Sequence, residues 1–331
     1  MRLNKCKFQP LFCCSNQGLP FYIYRINDDN SFVRTTLNMK GWRTMILDET
    51  ITLNSGVKIP KFALGTWMID DDQVAEAVRN AIKLGYRHID TAQAYGNERG
   101  VGEGVRTAGV DRDKIFVTSK VAAEHKDYDV TKKSIDETLE KMGLDYIDMM
   151  IIHSPQPWKE VNKSDNRYLE GNLAAWRAME DAVNEGKIRT IGVSNFEKAD
   201  LENIIKNSDT VPAVDQVLAH IGHTPFNLLP FTHEHDIAVE AYSPVAHGAA
   251  LDNPVIEKMA KKYNVSVPQL CIRYDWQLGM IVLPKTANPA HMKENAEIDF
   301  EISEADMDLL RRVKPLDYGD FDVFPVYGGK M

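Results

Sequence analysis

The sequence predicts an α/β fold, a (β/α)8 TIM barrel preceded by a β-hairpin. From residue 45 onward, short apolar runs alternate with stretches of helical period, giving about eight βα units. The runs are continuous rather than alternating, as expected of strands buried on both faces. A doubly wound sheet is the alternative. It asks for a glycine fingerprint directly after its first strand. Gly100-Val101-Gly102-Glu103-Gly104 lacks the G-x-G-x-x-G spacing, lies in a helical pattern and follows the second strand. Those glycines read as close packing.

The elements follow in order. Residues 49–58 alternate and turn at Asn54-Ser55-Gly56, a hairpin that would plug the barrel bottom. A strand over 62–67 leads to a helix over 70–84. There Val74, Ala77, Val78, Ala81 and Ile82 share one face, and Gly85 ends the helix. Strand 87–90 precedes helix 97–107, strand 115–121 precedes helix 130–142, and strand 146–153 opens a long loop before helix 173–184. The second half continues with strand 190–194, helix 198–206, strand 213–217, a short helix near 228–235, strand 238–242 and helix 254–263. Strand 280–284, helix 290–296 and a last helix over 304–313 complete the chain.

The chain has 331 residues, 44% of them hydrophobic and 26% charged, enough for a large core. A net charge of −9 argues against nucleic acid and anionic membrane surfaces as partners. No apolar run approaches the roughly 18 residues of a spanning helix. Cys6, Cys13 and Cys14 crowd the N-terminus and Cys271 lies apart, with no C-x-x-C pair. That indicates neither a disulfide framework nor a zinc ribbon, so a reducing cytoplasm is the expected compartment. Residues 1–44 sustain no period. They are expected to be a disordered extension or a mis-assigned start, with Met45, or else Met39, opening the barrel of 45–331.

Ionisable residues recur at strand C-terminal ends, where parallel α/β proteins do their chemistry. Asp90 ends the second strand and Tyr95 follows in its loop; Lys120 and His153 end the third and fourth. Each has a plainer reading: a helix cap, a packed phenol, a solvated lysine, a core histidine. Their joint arrival at one mouth favours function.

Several segments together carry a resemblance. They are GYRHIDTAQAYGNE at 85–98, Ser119-Lys120, IIHSP at 151–155, GKIRTIGVSNF at 186–196, EAYSP at 240–244 and LPKT at 283–286. In this order they resemble the aldo-keto reductase family of NAD(P)H-dependent aldehyde and ketone reductases, on its diketogluconate-reductase-like branch. The resemblance implies that Asp90, Tyr95, Lys120 and His153 form a catalytic tetrad reducing a small-molecule carbonyl. Tyr95 would donate the proton, Lys120 lower its pKa, Asp90 hold Lys120, and His153 orient the carbonyl. It also implies cofactor contacts. Ser194, Asn195 and Gln216 would meet the nicotinamide carboxamide, and Tyr242 would stack on its ring. Ser243 and the loop through Leu251 would cover the pyrophosphate. Lys285 and Thr286 would meet a 2′-phosphate, and Glu294 and Asn295 the adenine.

Three departures stand out. His291 occupies a position where relatives often have Arg; it is shorter and lacks the guanidinium fork. NADPH is thus the expected cofactor, with NADH possible. Ser154 replaces a common Trp and should widen the substrate pocket, with Trp67 as another wall. Trp158 or Tyr168 could fill the gap, and the sequence does not fix their direction. After Gln216 the chain reads VLAHIGHTP, unlike the usual acidic residue and His-Pro.

No metal is expected. His220-x-x-His223 and His233-Glu234-His235 lack an H-E-x-x-H frame or Cys partners. The aromatic tail, 318–327, would either close over substrate or strap the barrel wall. A monomer is the expected state. Two rivals remain: a non-catalytic nucleotide sensor on the same fold, and a metal-dependent hydrolase on another barrel.

Overall fold

The computed structural model describes residues 46–324 and 326. The predicted 1–44 extension, the Met45 start, Pro325 and Tyr327 lie outside them.

The hairpin is β1 (Thr50–Thr52) and β2 (Lys58–Pro60), antiparallel with Ile51 opposite Ile59. Its turn closes through Leu53 N–H to Val57 O at 2.9 Å, and Gly56 takes the left-handed φ of 80° that the turn requires. Leu53 and Ile59 pack on Phe116, Met149, Ala213 and Ile281 at the N-terminal side of the barrel strands. Asn54 donates to Pro212 O at 3.0 Å across the same end. This end is therefore closed by apolar packing, which leaves the opposite mouth for a site.

The barrel strands are β3 (Ala63–Gly65), β4 (His88–Asp90), β5 (Phe116–Val121), β6 (Ile147–Ile152), β7 (Ile188–Ser194), β8 (Val214–Leu218), β9 (Ala238–Tyr242) and β10 (Ile281–Leu283). They form one parallel sheet in chain order. Parallel bridges Phe62–Val282 and Gly65–Lys285 bring the last strand to the first, with Val282 N–H donating to Lys61 O at 2.9 Å. Nearly every strand residue is buried, which is why the runs are apolar throughout.

The helices are α1 (Asp71–Lys83), α2 (Glu98–Thr107), α3 (Tyr128–Met142), α4 (Leu169–Asn184), α5 (Lys198–Asn207), α6 (Leu229–Glu234), α7 (Pro254–Tyr263), α8 (Val267–Gln277), α9 (Pro289–Ala296) and α10 (Glu304–Leu310). Gly100 and Gly102 have the packing role expected of them. A Cβ there would stand 2.2 Å from Asp71 O and 2.1 Å from Met142 O, so α2 sits against α1 and the end of α3 only because both are glycine. Strands are one or two residues shorter than predicted at several ends, and α4 starts earlier, at Leu169.

Helix α8 was not anticipated. Its Leu270, Cys271, Ile272, Tyr274, Asp275 and Trp276 are all buried, and Gln269, Arg273 and Gln277 form only a narrow half-exposed stripe, so its polar face is slight. The legible signal was its capping box, Ser266 with Gln269, with Pro268 between them in the first turn. Among the described residues, no helix is long and apolar enough to cross a membrane.

Candidate active site

Asp90 is the last residue of β4, and Tyr95 closes the short 3-10 turn Gln93–Tyr95 that follows. That turn is held from both sides. Gln93 Nε2 donates to Ser134 O at 3.1 Å while its Oε1 accepts from Ala122 N–H at 2.9 Å. Asn97 Nδ2 donates to Thr66 O at 3.0 Å and to Ile69 O at 2.9 Å, tying the next helix start to the β3 loop.

Lys120, near the end of β5, has no exposed surface. Its ammonium donates to Asp90 Oδ1 at 2.6 Å and Thr91 O at 2.7 Å, and lies 4.9 Å from the Tyr95 ring centroid. His153 directly follows β6. Its ring meets Tyr95 edge to face at 5.5 Å and Trp158 at 4.9 Å. The four residues from three adjacent strands do converge.

Their protonation follows from burial. Burial alone would strip the Lys120 proton, but Asp90 and then Tyr95 outweigh it and hold the ammonium charged above its ordinary range. Burial, with Lys120 adding to it, keeps His153 neutral. Tyr95 feels the expected pull of Lys120 together with a larger opposing effect. Burial pushes its phenol up, and the downward pull of Lys120 does not overcome this. The group is a protonated phenol at neutral pH.

Beside the tetrad, Ser194 Oγ donates to Gln216 O at 2.8 Å, and Asn195 Nδ2 donates to His153 O at 3.0 Å. Asn195 Oδ1 accepts from Tyr242 OH at 2.7 Å, which fixes the tyrosine ring at the mouth. Gln216 Nε2 donates to Asp90 Oδ2 at 2.9 Å.

A cavity of about 900 Å³ opens here. It runs from Trp67, Tyr95, His153 and Trp158, over Asp90, Ser194, Asn195, Gln216, Tyr242 and Ser243, to Lys285, Thr286, His291, Glu294 and Asn295. Of the residues given a catalytic, cofactor or substrate role from the sequence, Lys120 and Ser154 do not line it. Lys120 lies beneath Tyr95. Ser154 is a correction: it is fully buried, its Oγ accepting from Gln156 N–H at 3.3 Å and its carbonyl from Lys126 Nζ at 2.7 Å. Trp158 lines the cavity and packs on His153. Tyr168 points elsewhere and donates to Glu160 at 2.5 Å in the outer loop.

The loop through Leu251 and the aromatic tail, both expected near the mouth, supply further lining residues. His247 meets Trp67 at 5.1 Å and stacks on Phe321 at 4.2 Å, and Phe324 meets Trp67 at 5.1 Å. The tail therefore lines the mouth through Phe321, Phe324 and Val326, while Tyr318 straps to His220 Nε2 at 2.8 Å. Ser243, Ala246 and His247 all take left-handed φ near 50°, bending the loop after β9 back over the cavity. Burial and then Lys285 pull the His247 ring down to about 4, so it stacks uncharged. Among the described residues, no three His, Cys, Asp or Glu side chains group as a metal site.

The donor set fits an extended dinucleotide. Amide and hydroxyl groups cluster with a tyrosine ring at one end, and a lysine cation, a threonine and an asparagine stand at the other.

The aldo/keto reductase family description matches residues 61–315. The chain is 40% identical over 266 residues to a glyoxal reductase of Bacillus subtilis (strain 168), covering 80% of this chain and 92% of that one. It is 39% identical over 262 residues to a 9,11-endoperoxide prostaglandin H2 reductase of Trypanosoma cruzi (strain CL Brener), covering 78% and 88%. Among solved structures, an aldo/keto reductase from Brucella melitensis superposes with a TM-score of 0.74 at 40% identity, covering 80% of this chain and 98% of that one. A Bombyx mori aldo-keto reductase in complex with NADP gives 0.73 at 34% identity, covering 84% and 98%.

Proposed function

The chain belongs to the aldo/keto reductase family, and we propose from that premise that Tyr95 is the proton donor of an NADPH-dependent carbonyl reduction in this cavity. The enzyme is an oxidoreductase that reduces aldehyde or ketone carbonyls to alcohols, reversibly. A nicotinamide cofactor, when bound, supplies the hydride.

The protein's own residues do the rest. Neutral His153, wedged between Tyr95 and Trp158, orients the carbonyl oxygen toward the phenol and donates to it as charge develops. Tyr95 OH gives its proton to that oxygen. Lys120, beneath the ring, stabilises the phenolate left behind, and Asp90 keeps Lys120 in place. A positioned acid of this kind contributes about 10² to 10⁴ in rate. The observation that carries the reading is the buried Lys120–Asp90 pair lying under a phenol that lines the cavity.

NADPH rather than NADH is favoured by Lys285 and Thr286 at the far end of the cavity. The relative solved with NADP supports the same choice. The relatives' names cover glyoxal and a prostaglandin endoperoxide, so they do not converge on one substrate. Nothing in the site favours a sensor without turnover. Initial rates over a carbonyl panel, with NADPH and NADH in parallel, test the proposal. Reduction of several aldehydes with NADPH ahead of NADH is expected. If no carbonyl is reduced with either cofactor, the proposal fails.

A further inference from the structure

Beneath the mouth a second acid is buried in the barrel. Glu240, on β9 in register with Gln216 of β8 and Ile281 of β10, has no exposed surface. Gln216 Nε2 donates to Glu240 Oε2 at 2.8 Å, as well as to Asp90 Oδ2 at 2.9 Å. Glu240 Oε1 has no hydrogen-bond partner. A hydrogen-bond chain thus runs Lys120–Asp90–Gln216–Glu240, from the cation under Tyr95 to a carboxyl that does not reach the cavity. Burying a carboxyl with one oxygen unsatisfied is costly, and an apolar residue would fill the barrel at lower cost.

We propose that Glu240 is a positioning residue for the proton donor, holding the Gln216 amide on Asp90 and setting the charge balance around Lys120. This rests on Tyr95 being that donor. The charged groups facing Glu240 are Asp90 on β4 and Lys120 on β5. Gln216 on β8 and Ile281 on β10 are uncharged. Burial, then Asp90, push the Glu240 carboxyl up to about 8. At neutral pH it is uncharged, and Lys120 balances Asp90 alone. Above that point the interior gains a second anion with no second cation. The extra charge strengthens proton binding by Lys120 and, by directly disfavouring a phenolate nearby, by Tyr95. Tyr95 then remains a phenol to higher pH than it would beside a residue that cannot ionise.

Glu240→Gln keeps the size and an acceptor but cannot ionise. Its reduction rate at pH 6 is expected within about twofold of wild type, because the amide contact survives. Its alkaline decline should begin earlier, lowering the ratio of kcat at pH 9 to pH 6 by about threefold relative to wild type. Glu240→Met fills the space without holding Gln216, and should lose kcat at every pH, including pH 6 where Glu240→Gln keeps it. Melting temperature gives a readout apart from turnover. A carboxyl whose folded pKa is raised contributes stability fully below its unfolded value, roughly 4.3, and loses it as pH rises toward about 8. Glu240→Gln lacks that loss, so its melting temperature relative to wild type should rise from pH 5 to pH 9. Superimposable pH–rate profiles in an active wild type and Glu240→Gln overturn this role alone. No turnover in wild type, with the melting difference still present, overturns the reductase reading instead.

Discussion

Lys120 Nζ donates to Asp90 Oδ1 at 2.6 Å, with both side chains buried. Such a pair is held together less by its net strength than by the cost of separating its members. Removing one charge leaves the other buried and uncompensated. The contact also explains why Asp90 serves as an anchor rather than as a base. One carboxylate oxygen is occupied by Lys120 and the other by Gln216, so neither is offered to the cavity as a proton acceptor.

Asp90→Ala should therefore destabilise the fold by about 3–5 kcal/mol in urea unfolding. Lys120→Met should cost less than that, and the double variant less than the sum of the two. Strictly additive losses would show that the two side chains do not act as a unit.

Tyr95→Phe removes only the phenol oxygen. The ring contacts with His153 and Trp67 remain. Turnover should fall by about 10² to 10⁴, while the dissociation constant for NADPH, followed by fluorescence, stays within a few fold. Turnover near the wild-type value would remove Tyr95 from the proton-donor role.

Much of this was legible in the sequence, for identifiable reasons. The barrel could be read because its strands are short apolar runs ending in Gly- or Asp-marked loops. Asp90, Lys120 and His153 could be placed at the mouth because each stands at a strand end, and Tyr95 because it lies in the loop that follows Asp90. Helix α8 escaped because its polar stripe is only the half-exposed Gln269, Arg273 and Gln277, and the buried Asp275 blurs the period further. The aim of Trp158 escaped because fifteen-odd residues of loop precede α4, and direction there is set by tertiary contacts such as Arg167 with Asp200. Glu240 escaped because a lone acid within a strand ordinarily reads as outward-facing. Only the register with Gln216 shows it turned into the barrel. The pull of Lys120 on the Tyr95 phenol was legible, but the larger effect of burial was not, because spacing reveals a nearby cation and says nothing of desolvation.

Trp158 stands against His153 at 4.9 Å, with the rings nearly perpendicular. Aromatic pairs of this geometry contribute about 0.5–1.5 kcal/mol beyond their buried area. Trp158→Ala frees the imidazole and enlarges the pocket. For a small aldehyde, kcat/KM should drop by up to about tenfold, on the scale of that interaction energy. A bulkier aldehyde should lose less or gain. Equal losses for both sizes in steady-state assays would argue that Trp158 shapes neither His153 nor the pocket.

His291 tests the cofactor end. It lines the cavity with Lys285 and Thr286, in a helix, α9, that Asn288 caps by accepting from Ala290 N–H at 2.9 Å. An arginine there adds a permanent charge and a planar fork suited to a phosphate. Hydrogen bonds to charged groups contribute about 1.5–3 kcal/mol, so His291→Arg should raise the NADPH-over-NADH preference by roughly tenfold or more. The gain should appear mainly as a lower dissociation constant for NADPH, with that for NADH nearly unchanged, because NADH has no 2′-phosphate to meet the new fork. Titration of both cofactors against both proteins measures this. An equal gain for the two cofactors would mean that position 291 senses only the shared pyrophosphate charge, and that the 2′-phosphate lies elsewhere.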